Sequence, residues 1–72
     1  MKVVIKNRNY NKADIIKIIR DSTDLTQEEF AKEIGKTKST IQKYELNLVN
    51  YPIETLLEII DKFDIKITLE KQ

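Results

Sequence analysis

Residues 26–47 place a capping threonine, an alanine, a glycine, an isoleucine and an asparagine at spacings that suit two short helices meeting at a tight turn. Thr26 followed by Glu29 is a capping box, in which each side chain satisfies a backbone N–H at a helix start. Phe30, Ala31 and Ile34 supply that helix with its apolar side. Gly35 stops it, because the left-handed backbone that ends many helices disfavours a Cβ. Thr37 caps a second helix and Asn47 ends it, asparagine ranking after glycine in that conformation. Helices joined by so short a turn cross closely and steeply. Ala31 lets the backbones approach, and Ile41 pins the second helix to a core. Each residue is common alone; the set, between a capped start and a stop, is specific.

The flanking sequence extends this unit. The 72 residues suffice for one domain, 1–72, of marginal stability. With no Cys and no His, neither disulfides nor zinc can staple it, so aliphatic packing must hold it. One Gly and one Pro suit a mostly helical chain. Residues 12–22 carry Ile15, Ile16, Ile18 and Ile19, with 15, 16 and 19 on one helical face. Pro52 suits the first turn of a fourth helix, whose buried stripe is expected at Ile53, Leu56, Leu57, Ile60 and Phe63. Residues 2–6 are a short β-branched run, and residues 7–11 read as a turn. In residues 64–70, Ile65, Ile67 and Leu69 alternate with Lys66, Thr68 and Glu70, which is the period of a strand with one buried face. The two end strands pair with each other or with a partner chain.

No apolar run is long enough to span a membrane, and residues 1–6 are too short for a secretion signal. The absence of Cys suits a reducing cytoplasm. Net charge is only +1, but residues 1–25 hold six basic groups against three acids, whereas residues 26–72 hold seven against nine. The N-terminal excess, from Lys2, Lys6, Arg8, Lys12, Lys17 and Arg20, suits either phosphate contact or simple solvation. On the third helix Ile41 and Tyr44 face inward, with Leu48 just beyond, so Lys38, Ser39, Gln42, Lys43 and Leu46 face outward. Lysine donates to guanine O6 and N7, glutamine pairs with adenine, and serine serves either base. A solvated amphipathic face is the alternative reading of the same residues.

Other chemistries find little footing. Gly35-Lys36-Thr37 imitates the tail of a phosphate-binding loop, but Phe30 stands where that pattern needs glycine. Ser22 and Ser39 lack an obvious base, and no loop gathers carboxylates for a metal. The sequence therefore predicts a non-enzyme without cofactor or metal.

The run 25–45, Leu-Thr-Gln-Glu-Glu-Phe-Ala-Lys-Glu-Ile-Gly-Lys-Thr-Lys-Ser-Thr-Ile-Gln-Lys-Tyr-Glu, closely resembles the helix-turn-helix of the Cro/cI (Xre-type) repressor family. The likeness continues through Pro-Ile-Glu-Thr-Leu-Leu at 52–57 and covers roughly residues 15–63. It implies a mostly α, lambda-repressor-like four-helix DNA-binding domain, in which the short N- and C-terminal β-strands read from residues 2–6 and 64–70 replace the family's fifth helix. It further implies a transcriptional regulator, as a rule a repressor, that reads the major groove of double-stranded DNA with residues 38–47. The expected target is an inverted-repeat operator bound by a homodimer. By the resemblance, Gln27 touches a phosphate and braces the reading helix. Thr37, Lys38, Ser39 and Lys43 match positions that meet base edges or adjoining phosphates, while Arg20 and Glu45 match a buried ion pair.

Three departures stand out. The turn after the reading helix, Asn47-Leu48-Val49, lacks the family's basic residues. The next helix's proline comes one position late, behind Tyr51, which either donates to a phosphate or packs. Finally, a strand stands in place of the fifth helix, so the terminal strands are the expected dimer contact. An alternative function is an antitoxin-type interaction module that binds a partner protein and autoregulates through the same fold; exposure of Leu46, Leu48 and Val49 would favour it.

Overall fold

A computed structural model describes residues 1–6 and 10–70. Its elements in order are β1 (Lys2–Ile5), α1 (Lys12–Thr23), α2 (Gln27–Glu33), α3 (Lys38–Glu45), α4 (Ile53–Lys62) and β2 (Lys66–Leu69). The fold is mostly helical, four helices with a short strand at either end. The turn expected at 7–11 falls largely outside the described residues, as does Arg8. Within them, Asn11 caps α1: its side-chain oxygen accepts from the Asp14 N–H at 2.9 Å, and Asp14 returns the bond. Thr26 and Glu29 form the same reciprocal box on α2, at 3.1 and 2.9 Å. Hydrogen bonding of the Glu29 carboxylate, first to the Thr26 backbone N–H and then to its side chain, holds that carboxyl below its ordinary value. Thr37 caps α3 by accepting from the Thr40 N–H.

Helix ends share one device. Gly35, Asn47 and Asp64 all have positive φ, at 70°, 60° and 51°. The next N–H in each case reaches back across the helix end: Lys36 to Ala31, Leu48 to Lys43 and Ile65 to Ile60, at 2.8–2.9 Å. This pattern satisfies carbonyls that the helix leaves open. A Cβ added at Gly35 would meet nothing within 4 Å, so glycine serves the backbone angle there and not a close approach.

The strands pair within the chain and run parallel, with Val3 opposite Ile67 and Ile5 opposite Leu69. Val3, Ile5 and Ile65 thereby join Ile16, Ile19, Phe30, Ala31, Ile41, Tyr44, Tyr51 and Ile59 in the core. Of the two fates open to the strands, closure within the chain is the one observed. A two-stranded sheet leaves each strand an outer edge.

Burial departs from the sequence pattern in four places. In α4 the buried arc centres on Thr55 and Ile59, flanked by Leu56, Ile60 and Phe63, while Ile53 and Leu57 lie exposed. The stack of Phe63 on Phe30, centroids 5.3 Å apart and planes within 5°, goes with that rotation. Ile15 is only half-buried, the α1 stripe running through Ala13, Ile16 and Ile19. Leu48 is exposed, because Asn47 turns the chain away before it can reach the core. Leu69 shares the apolar face of its strand but sits past the rim of the core and is 77 % exposed.

Candidate nucleic-acid interface

Helices α2 and α3 pack through Phe30, Ala31 and Ile41, all fully or almost fully buried. With Ile41 and Tyr44 anchored, α3 must turn its other side to solvent. Lys38, Ser39, Gln42 and Lys43 are all exposed, as are Thr37 at the cap and Leu46 at the end. Residues 36–43 carry Lys36, Lys38 and Lys43 and no acid, so this side is locally basic although the chain is nearly neutral. Lys36 was not singled out from sequence; the available signal was a third lysine in an acid-free run.

What sets the angle of α3 is a polar junction at its C-terminal end. The Glu45 carboxylate accepts from Arg20 Nε at 2.6 Å and from Arg20 Nη2 at 3.1 Å. It also accepts from Gln27 Nε2 at 3.2 Å, while Arg20 Nη1 donates to the Leu25 carbonyl at 3.0 Å. One carboxylate thus ties α1, the start of α2 and the end of α3 together. Arg20 is 15 % and Glu45 5 % exposed, so water screens the pair little. Donation of hydrogen bonds to Glu45 holds the guanidinium pKa above its usual value, against the opposing effect of burial. The side chain of Gln27 is spent on this junction and not extended into solvent.

Of the two readings open to Tyr51, the structure shows packing. The ring is 2 % exposed, tilts against Tyr44 at 5.1 Å, and its hydroxyl donates to the Lys12 carbonyl at 2.6 Å. Lys12 answers by donating Nζ to the Tyr51 carbonyl and lying 4.5 Å over the ring. The phenol is therefore a clasp between α1 and the α3–α4 loop, and its hydroxyl proton is spent on the Lys12 carbonyl. Burial also pushes its pKa up to about 12. The N-terminal excess of charge is redistributed for the same reason: Lys12 and Arg20 are engaged with the protein. This clasp had no clear sequence signal, since its partners lie 39 residues apart.

The family described as helix-turn-helix matches residues 16–69, three quarters of the chain. Antitoxin HipB of Escherichia coli K12 is 33 % identical over 57 residues, covering 79 % of this chain and 65 % of that protein. Antitoxin HipB of E. coli O6:H1 (strain CFT073) shows the same identity over 61 % of its length. The chain thus matches less than two thirds of either relative. No solved structure matches it significantly. Among the described residues no helix is long and apolar enough to cross a membrane.

Proposed function

The chain belongs to the helix-turn-helix family of the Cro/cI (Xre) type, a family of DNA-binding regulators, and we propose that it represses transcription by reading an operator sequence in the major groove. The observation that carries this reading is the exposed, acid-free face of α3. Lys38, Ser39, Gln42 and Lys43 are the base readers, and Thr37 and Lys36 adjoin phosphates. Gln27 works from behind by bracing α3 through Glu45. A homodimer on an inverted repeat, joined through the outer edges of the terminal strands, completes the reading.

Fluorescence anisotropy on a selected DNA site tests it. Lys38→Ala and Lys43→Ala should each weaken specific binding by roughly 1–3 kcal/mol while leaving random DNA less affected. Equal loss on both DNAs reassigns these lysines to phosphates. Affinity should fall steeply with salt, and a flat salt response overturns the DNA-reading claim. Half-sites about 10 base pairs apart in sequences selected from a random pool support the dimer. A monomer both free and on DNA in ultracentrifugation removes it.

A second reading has an observation of its own. Leu46, Leu48 and Val49 are exposed, and the curated relatives are named antitoxins. An antitoxin-type module would bind a partner protein and regulate its own synthesis through the same DNA-reading face. Co-purification with the product of a neighbouring gene supports it.

A further inference from the structure

Residues 46–61 continue from the end of the reading face, which they meet at Leu46, into exposed positions of the opposite chemical character. Leu46, Leu48 and Val49 lie at the end of α3 and in the loop beyond it; Ile53 and Leu57 lie one turn apart on α4. All are 47–69 % exposed. Scattered exposed leucines are ordinary, but a chain this small rarely leaves five large aliphatic side chains within sixteen residues in water without a use. The charged groups of 46–61 are Glu54, Glu58 and Asp61, all exposed, with no Lys or Arg among them. These carboxylates repel phosphate, which sets the surface apart from the lysines of α3. They also disfavour a second copy, because a two-fold contact brings each acidic rim toward its like. The complement that remains is a protein face that is aliphatic at its centre and basic at its rim.

We propose that residues 46–61 dock a partner protein with such a face, leaving Lys38, Ser39, Gln42 and Lys43 uncovered for DNA. This rests on the protein-partner reading above and extends it onto α4, with a stated partner chemistry.

The test uses the full chain, isotopically labelled, and two synthetic amphipathic helical peptides. Both carry a leucine face; one flanks it with lysines, the other with glutamates. The lysine peptide should shift the amide resonances of residues 46–61, and the glutamate peptide should bind at least about tenfold more weakly. Leu57→Ser and Glu58→Lys should each weaken the lysine peptide by about tenfold. Both positions are exposed, so circular dichroism should match the parent chain, and DNA affinity should be unchanged or, for Glu58→Lys, modestly raised. Equal binding of the two peptides, no binding of the lysine peptide, or shifts confined to other residues overturns the proposal. So does self-association of the free chain that Leu57→Ser abolishes, or protection of residues 48–57 by DNA. Lys38→Ala, in contrast, should impair DNA binding and leave the peptide titration intact, which separates failure of the DNA reading from failure of this one.

Discussion

At the residue scale, Glu45 holds the most consequential position. Its carboxylate is nearly buried and receives three hydrogen bonds from two elements. Glu45→Ala leaves the Arg20 guanidinium, 15 % exposed, with only the exposed Asp21 carboxylate at 3.5 Å as its counter-ion among the described residues, and stability should fall by about 3 kcal/mol in urea unfolding. The apolar pair Arg20→Met with Glu45→Leu should recover most of that loss, since two charges then no longer need desolvating. A loss under about 1 kcal/mol for the single variant would mean that the pair behaves as a surface bridge. Tyr51 supplies a pH signature. Its phenol ionises near pH 10 unfolded and at about 12 folded, so the unfolded chain releases its proton first. The contribution is whole below pH 10 and is lost as pH rises through 10 to about 12. Between pH 9 and 11, the parent chain should lose more stability than Tyr51→Phe; equal losses would assign the alkaline transition to other groups. The Arg20–Glu45 geometry follows a family resemblance readable in the sequence. The Lys12–Tyr51 clasp does not, because nothing local links residues so far apart.

At the scale of elements, boundaries are written by short-range chemistry. Thr26 and Thr37 start their helices with side-chain acceptors, and Gly35 and Asn47 end theirs with left-handed backbones. Because a Cβ at Gly35 meets open space, Gly35→Ala should lower stability by roughly 1 kcal/mol through backbone strain alone. Gly35→Asn should lose less, as asparagine tolerates that region. Thermal melts of the two variants check this; equal losses would point to something other than φ. The rotation of α4 was harder to read. Its apolar residues span a wide arc, and helical periodicity cannot say which part of such an arc meets the core. Thr55 and Ile59 fill the buried centre, and Ile53 and Leu57 are turned out.

At the scale of the whole molecule, the ends of the chain close the core. β1 and β2 run parallel, so every helix lies in the connection between them. Val3 and Ile5 cover the same core as Ile41, which anchors the reading helix. Ile5→Ala should cost about 3 kcal/mol and lower the melting temperature by roughly 15 °C, a large share of the stability of a chain this size. Circular dichroism melting measures it, and a shift of only a few degrees would show that the sheet is peripheral to the fold. Weaker DNA binding should accompany the loss near the new midpoint, because the reading face exists only while its anchors are packed.

The stretch 26–47 was determined by sequence alone: caps, turn glycine, small residue at the crossing and inward isoleucine are local or nearly local, and their physics acts within a few residues. The outward side of α3 followed from the same periodicity. Tertiary structure decided what no local rule reaches. It paired the terminal strands with each other, turned Tyr51 inward onto Lys12, and chose which arc of α4 to bury. Each of these is a competition between distant groups for one limited interior, and only the packed chain settles it.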